Sequence, residues 1–308
     1  MTTLEYLPAD VYNHFDLELV DLIALVITSK YIHNLLVNST IKINSVTTYR
    51  EYMRRWIPFL RNVKIRTNEL SEDIHLFKNL HILNLSQSNV VDVSMLGSVH
   101  TLDLSYTKVV DVSALGSVHT LDLSYTRVVD VSCLGGVYNL NISNTTVRNV
   151  SNLGKLHILN LSSTNAVDFS NLGGVHSLNL SRTNIMDVSC LGRVHTLDLS
   201  RTSVVDFSCL GSVHTLDLSH TRIVNISCLD GVYNLNLSYT NVVDVSALRF
   251  VHNLNLSNTN VANVSCLGKN HTLNLSWTKV VDVSVLGGVH NLNLMYTKVS
   301  DVSALGFV

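Results

Sequence analysis

Residues 80–307 are one 19-residue unit written twelve times without an insertion. Two neighbouring copies, VHTLDLSYTKVVDVSALGS at 99–117 and VHTLDLSYTRVVDVSCLGG at 118–136, differ at three positions. A unit this short cannot bury its own apolar face, so each copy must cover its neighbour's. The functional question moves accordingly, from an enclosed active site to what a repeated surface holds.

Position 4 of the unit is Leu in all twelve copies, Leu83 being the first and Leu292 the last. Position 6 is Leu except at Ile142, and position 17 is Leu throughout, from the copy with Leu96 to the copy with Leu305. Positions 1, 11 and 14 are Val, Leu, Ile or Phe, with Ala166 and Asn270 the exceptions. The L-x-L alternation has the period of a strand with one face buried. The full pattern, V-x-x-L-x-L-x-x-T-x-V-x-D-V-S-x-L-G-x, resembles the leucine-rich repeat, and most of all its short internalin-like class with the last few residues missing. The resemblance implies an α+β chain. Its main part would be a leucine-rich-repeat solenoid of twelve 19-residue coils with a parallel β-sheet on the concave face, preceded by a small helical N-terminal domain. One departure stands out: the family's ladder Asn at position 9 is here Thr, as at Thr107 and Thr297, or Ser88 in the first copy. A hydroxyl has fewer donors than an amide, so this ladder must bond differently.

Behind the strand, Asp at position 13 and Ser at position 15 (Asp111 and Ser113) suit Asx-turns and N-caps. Gly at position 18 (Gly116) suits a left-handed exit. The D-V-S-x-L-G run therefore predicts one short turn of 3₁₀ character per coil. Asp230 and Arg249 replace that Gly in two consecutive units, which predicts strain or a different exit there.

At 308 residues and 46% hydrophobic the chain can bury a long aliphatic core. A net charge of −2 gives no electrostatic case for nucleic acid or a membrane surface. Met1 is followed by TTLEYLPAD, which has neither the basic stretch nor the apolar core of a secretory signal. No apolar run approaches the roughly 18 residues of a membrane span. The expected location is the cytoplasm, the host's if the protein is viral. All five cysteines, Cys133, Cys190, Cys209, Cys228 and Cys266, fall at position 16, a slot shared with Ala, Asn, Met and Val. That reads as small-residue packing in a reducing compartment, not a metal or redox site. Asn-x-Ser sequons such as Asn160-Leu161-Ser162 are by-products of the strand pattern. No nucleophile with a base, carboxylate pair or phosphate loop stands outside the repeat register, so neither an enzyme nor a cofactor is expected.

Residues 1–79 differ in kind. Segment 7–36 (LPADVYNHFDLELVDLIALVITSKYIHNLL) has helical apolar spacing, with Pro8 near its first turn. The opening Leu7-Pro8, the central Asp21-Leu22 and the Ser29-Lys30 before a closing Leu35-Leu36 resemble an F-box, although Pro8 and Leu22 stand closer than is usual. An F-box followed by leucine-rich repeats resembles substrate receptors of cullin-type ubiquitin ligases. The near-identical short repeats also resemble the F-box and repeat proteins encoded by giant DNA viruses. The resemblance implies that Leu7, Pro8, Val11, Leu22 and Leu25 meet a Skp-type adaptor; the same residues also suit the core of a helical cap. The expected organisation is an F-box-like domain at 1–40, a linker helix and degenerate capping repeat at 41–79, and the repeats at 80–308. Within the linker, Ile41-Lys42-Ile43 reads as a strand, residues 49–60 as an amphipathic helix, and Val63-Lys64-Ile65 as the start of a coil closed by Ile74 and Phe77. The sequence ends just after a full unit, so a last coil open to self-association is also expected.

Positions 3, 5, 7 and 8 are predicted to point outward from the sheet. Position 8 is the variable one, and its aromatic and charged members are expected to bind a target protein: Tyr106, Tyr125, Arg182, Arg201, His220, Tyr239, Trp277 and Tyr296. Position 2 is His in ten units and Tyr in two, Tyr138 and Tyr233, which reads as a stacked ring ladder and not a metal array. Three functions fit: a ubiquitin-ligase receptor, a stand-alone repeat binding protein, and a self-assembling structural unit.

Overall fold

The computed structural model describes residues 40–43, 62–65 and 74–306. The predicted helices in 7–36 and 49–60, and with them Leu7, Pro8, Val11, Leu22 and Leu25, lie outside the described residues. The chain divides into two compact units, Met1–Val147 and Arg148–Val308.

In the first unit the strands are β1 (Thr40–Ile43), β2 (Asn62–Ile65), β3 (Ile82–Asn84), β4 (Thr101–Asp103), β5 (Thr120–Asp122) and β6 (Asn139–Asn141). Each pairs in parallel with the next: Ile41 faces Val63, Val63 faces Leu83 and Leu83 faces Leu102. The strands read at 41–43 and 63–65 are therefore present, and Ile74–Phe77 is a 3₁₀ turn with Ile74 and Phe77 buried. In the second unit the strands are β7 (Ile158–Asn160), β8 (Ser177–Asn179), β9 (Thr196–Asp198), β10 (Thr215–Asp217), β11 (Asn234–Asn236), β12 (Asn253–Asn255), β13 (Thr272–Asn274) and β14 (Asn291–Asn293). They again pair in order and in parallel, position 4 opposite position 4, as Leu216 faces Leu235. Among the described residues no helix is long and apolar enough to cross a membrane.

The period-two pattern explains each strand: Leu102 and Leu104 are buried while Thr101 and Asp103 are not. Leu115, Val99, Val109 and Val112 close the same coil's core. A fully buried aliphatic side chain of this size contributes about 1.5–3 kcal/mol, and the columns repeat that contribution coil after coil. Where Ala166 thins position 11, Phe169 fills position 14 of the same unit and both stay buried, which holds the core volume roughly constant. Asn270 is the polar exception, buried at position 1. Its amide donates to the carbonyls of Leu248 at 3.2 Å and Val251 at 2.5 Å, and its own Oδ1 has no partner.

Two details depart from the sequence expectation and a third follows it. First, among the described position-18 glycines only Gly306, in the last unit, has a positive φ; Gly116 has φ −61°. At Gly116 the glycine gives room to the next coil, since a Cβ there would sit 2.5 Å from the carbonyl oxygen of Cys133. Arg249, in that slot, has φ −61° and ψ −17°, so its coil leaves by the same route rather than a strained one. Second, Asp at position 13 makes the Asx-turn but not an N-cap: Ser113 N–H donates to Asp111 Oδ1 at 2.9 Å, while the 3₁₀ turn Ser113–Leu115 begins at the serine itself. Third, the position-9 hydroxyl does not bridge coils. Thr107 Oγ1 donates to its own coil's Leu104 carbonyl at 2.6 Å, and Thr126, Thr221 and Thr278 do the same with Leu123, Leu218 and Leu275.

Candidate binding surface

That hydroxyl bond belongs to the turn that ends each strand. The position-9 N–H also returns to the position-6 carbonyl, as Thr126 does to Leu123 at 3.3 Å, which closes a four-residue turn with position 8 at its second corner. The corner demands a positive φ, and all twelve position-8 residues have one, from 56° at Asn144 to 63° at Gln87. Such corners favour Gly or Asn, yet none of the twelve is Gly and two are Asn, Asn144 and Asn258. For a side chain with a Cβ the left-handed conformation costs roughly 1–2 kcal/mol. The strain is hard to read in the sequence, because only Asn144 and Asn258 of the twelve are residues that favour such a corner.

The corner throws each side chain clear of the sheet. In the first unit Tyr106 and Tyr125 stack with ring centroids 4.3 Å apart. Desolvation first, then the hydrogen bond and closeness of Tyr125, push the Tyr106 phenol pKa up. In the second unit Arg201 places Nη2 3.2 Å from His220 Nε2, and His220 stacks on Tyr239 at 4.3 Å. Desolvation first, then Arg201 and Arg182, lower the His220 pKa against the opposing pull of Asp217. Trp277 and Tyr296 form a further stack at 4.2 Å. The eight residues expected to bind a target thus stand in one column within each unit. Stacking covers ring faces, so a partner would meet mainly ring edges, hydroxyls and guanidinium groups.

Position 7 is a partial correction. Ser105, Ser124, Ser219 and Ser238 are buried and Ser162, Ser181 and Ser200 half-buried, while Met295 stays exposed; in each the N–H turns back to the position-5 side chain, as Ser105 does to Asp103 Oδ1 at 2.9 Å. Positions 3 and 5 do form an outer floor, tied from coil to coil by amides. Asn84 and Asn141 donate to Asp103 and Asp122 in the first unit. In the second, Asn236 donates to Asp217 at 2.8 Å, Asn253 to Asn234 at 2.6 Å and Asn234 to Thr215 at 2.9 Å. Over β9–β13 this floor lines an open groove of about 430 Å³. The run of Asn at positions 3 and 5 was the available signal for these cross-coil bonds.

Position 2 forms the stacked ladder expected of it. His100 and His119 lie 4.5 Å apart at 13°, and His157 and His176 4.5 Å apart at 3°. Tyr233 continues the stack between His214 and His252, at 4.9 and 4.5 Å. His100 and His195 have lowered pKa values, from desolvation first and then from the neighbouring imidazoles; no carboxylate figures among the causes. The position-16 thiols each point at a carbonyl of the preceding coil, Cys209 Sγ at 3.1 Å from Val188, and desolvation raises their pKa values. Among the described residues no group of three or more His, Cys, Asp or Glu is placed to hold a metal ion.

No family model matches this sequence, and no curated protein resembles it in sequence. Solved structures do resemble it. An internalin of Listeria monocytogenes is 20% identical with a TM-score of 0.66, over 99% of this chain and 97% of that one. A leucine-rich-repeat protein of Leptospira interrogans is 18% identical with a TM-score of 0.65, over 88% of each chain. The ectodomain of a plant membrane receptor kinase from Arabidopsis thaliana, solved in complex with Casparian strip integrity factor 2, is 15% identical with a TM-score of 0.57, over 86% of this chain and 39% of that one. The fold is therefore a parallel-sheet solenoid of leucine-rich-repeat coils of the internalin kind.

Proposed function

We propose that this chain is a protein-binding scaffold, and more narrowly the substrate receptor of a cullin-type ubiquitin ligase acting in the cytoplasm. In this reading residues 1–40 are an F-box whose Leu7, Pro8, Val11, Leu22 and Leu25 meet a Skp-type adaptor. Residues 41–79 link and cap, and the position-8 column of 80–308 holds the target. The observation that carries the target-binding half is the left-handed column: twelve side chains are displayed at a backbone conformation where Gly would be unstrained. Tyr, Trp and Arg, the residues that most often dominate protein interfaces, fill much of it. The adaptor half rests on the F-box resemblance. That an Arabidopsis relative in fold was solved with a bound factor agrees with the reading.

The test is co-purification of the full chain with a eukaryotic Skp-type adaptor. Wild type should recover the adaptor, and the double substitution Leu7→Ala with Pro8→Ala should lose it while the far-UV circular dichroism of the repeats stays unchanged. Equal recovery with both chains rejects the F-box and leaves a stand-alone binding protein. Elution volumes that fall as concentration rises, with no adaptor bound, would favour self-assembly instead.

A further inference from the structure

We propose that the gap at Asn258 in the position-8 column, between Tyr239 and Trp277, is a slot for one tyrosine side chain of the target protein. The slot belongs to the proposed target surface and rests on that reading, naming the group that the column holds.

Stacking covers most ring faces in the column, but it stops on both sides of Asn258. Tyr239 stacks on His220 of the coil before it at 4.3 Å, and Trp277 on Tyr296 of the coil after it at 4.2 Å. Each ring is left with one face toward the coil of Asn258, and Tyr239 and Trp277 are 54% and 57% exposed. Strands β11, β12 and β13 pair in order, so two strand spacings, about 9.6 Å, separate the coils of the two rings. A ring between them needs about 3.5 Å on each face, so one ring fits and two do not. Asn258 shares the left-handed corner, with φ 58°, and so projects into the gap, but its side chain is too short to fill it.

The lining selects a neutral ring with a polar tip. Asn258 is half-buried, and its amide makes no hydrogen bond among the described residues. A side chain entering from solvent goes in tip first, which brings a phenol hydroxyl against that amide. The hydroxyl can donate to Oδ1 or accept from Nδ2, whereas a phenylalanine ring can do neither. Charge argues against a nucleotide. Within residues 232–281 the one carboxylate is Asp244, at position 13 behind the strand, and Lys279 is the one cation within two residues of Tyr239, Asn258 or Trp277. Beside the slot, Asn255 and Asn274 use Oδ1 to accept from the N–H groups of Ser257 and Ser276, each at 3.0 Å, which leaves Nδ2 for the backbone carbonyls of a partner. The open groove that they line over β9–β13 gives the segment carrying the tyrosine its path.

Nuclear magnetic resonance titration of the full chain with N-acetyl-tyrosinamide tests the slot directly. The indole N–H of Trp277 and the side-chain amide of Asn258 should shift and saturate, while the indole of Trp56, the other tryptophan, stays in place. N-acetyl-phenylalaninamide should bind at least about threefold more weakly, the effect of one missing hydrogen bond. Asn258→Ala should erase that preference while the ring still binds. Asn258→Tyr should fill the slot and abolish binding with the fold kept, because Tyr125, Tyr239 and Tyr296 already stand at the same corner. No shift at Trp277, a phenylalanine compound bound as tightly, or binding kept by Asn258→Tyr overturns the proposal. Adenosine moving the same resonances at lower concentration than the tyrosine compound overturns the ligand assignment. The slot and the scaffold reading fail separately: a target captured equally by wild type and Asn258→Tyr removes the slot and leaves the column, and adaptor recovery bears on neither.

Discussion

Replacing Gly192 by Ala should destabilise the second unit by about 1–3 kcal/mol, the usual cost of forcing a methyl into a packed contact. A Cβ at Gly192 would lie 2.5 Å from the carbonyl oxygen of Cys209 and 3.5 Å from its carbon. The obstacle is backbone of the next coil and not the tip of a flexible side chain, so relief requires the coils to part. One effect opposes this: Gly→Ala stiffens the unfolded chain and stabilises by about 0.4–1 kcal/mol where the new residue fits. Here it does not fit, and the clash wins. Gly287→Ala should behave alike, since its Cβ would meet the Ala304 carbonyl at 2.5 Å. Gly306 has φ +60° and open space around it, so Ala there should suffer from conformation alone. Urea midpoints of the three variants separate the two causes; an unchanged midpoint for Gly192→Ala would mean that the coils can spread without loss.

The thermal midpoint should fall between pH 7.5 and pH 5.5. His100 and His195 have folded pKa values below the unfolded value of about 6.5. The unfolded chain therefore binds more protons in that range, so the stability is fully present above about pH 6.5 and is lost as pH falls through the lowered folded values. His220 adds in the same direction. The Asp column at position 13 also has lowered pKa values, in Asp111 and Asp187 chiefly from the backbone N–H of the serine two residues on. Its loss comes lower, below the ordinary carboxyl value of 3.8, and leaves the interval from 7.5 to 5.5 to the imidazoles. A midpoint equal or higher at 5.5 would mean that the row is solvated or paired.

Much of this was legible in the sequence because a repeat states its own alignment. Leu at positions 4, 6 and 17 gave strand, face and register together, and the structure pairs those positions coil on coil. Side chains that act within one coil could also be read, as with the Asx-turn at Asp111. What the sequence concealed depends on coil against coil. Gly116 looks like a turn residue in one dimension and proves to be a spacing residue in three. Ser105 follows the outward parity of a strand, but the chain leaves the strand at Leu104 and folds the serine back onto Asp103. The four consecutive position-12 residues Val167, Met186, Val205 and Val224 are exposed with no polar side chain among them to announce it. Position 8 varied freely enough to suggest binding, while the conformational cost behind that variation was visible only in φ.

That cost allows the central claim, that position 8 is kept for a partner, to be tested by one comparison: wild type against Trp277→Gly with Tyr296→Gly, each assayed for thermal midpoint and for proteins captured from cells by the tagged full chain. Glycine should relieve about 1–2 kcal/mol of left-handed strain per site. It also removes one ring stack, worth about 0.5–1.5 kcal/mol. The account predicts a midpoint that holds or rises and a loss of captured target proteins, with the Skp-type adaptor still recovered. A lower midpoint with every captured protein retained would make the column a structural stack and contradict it.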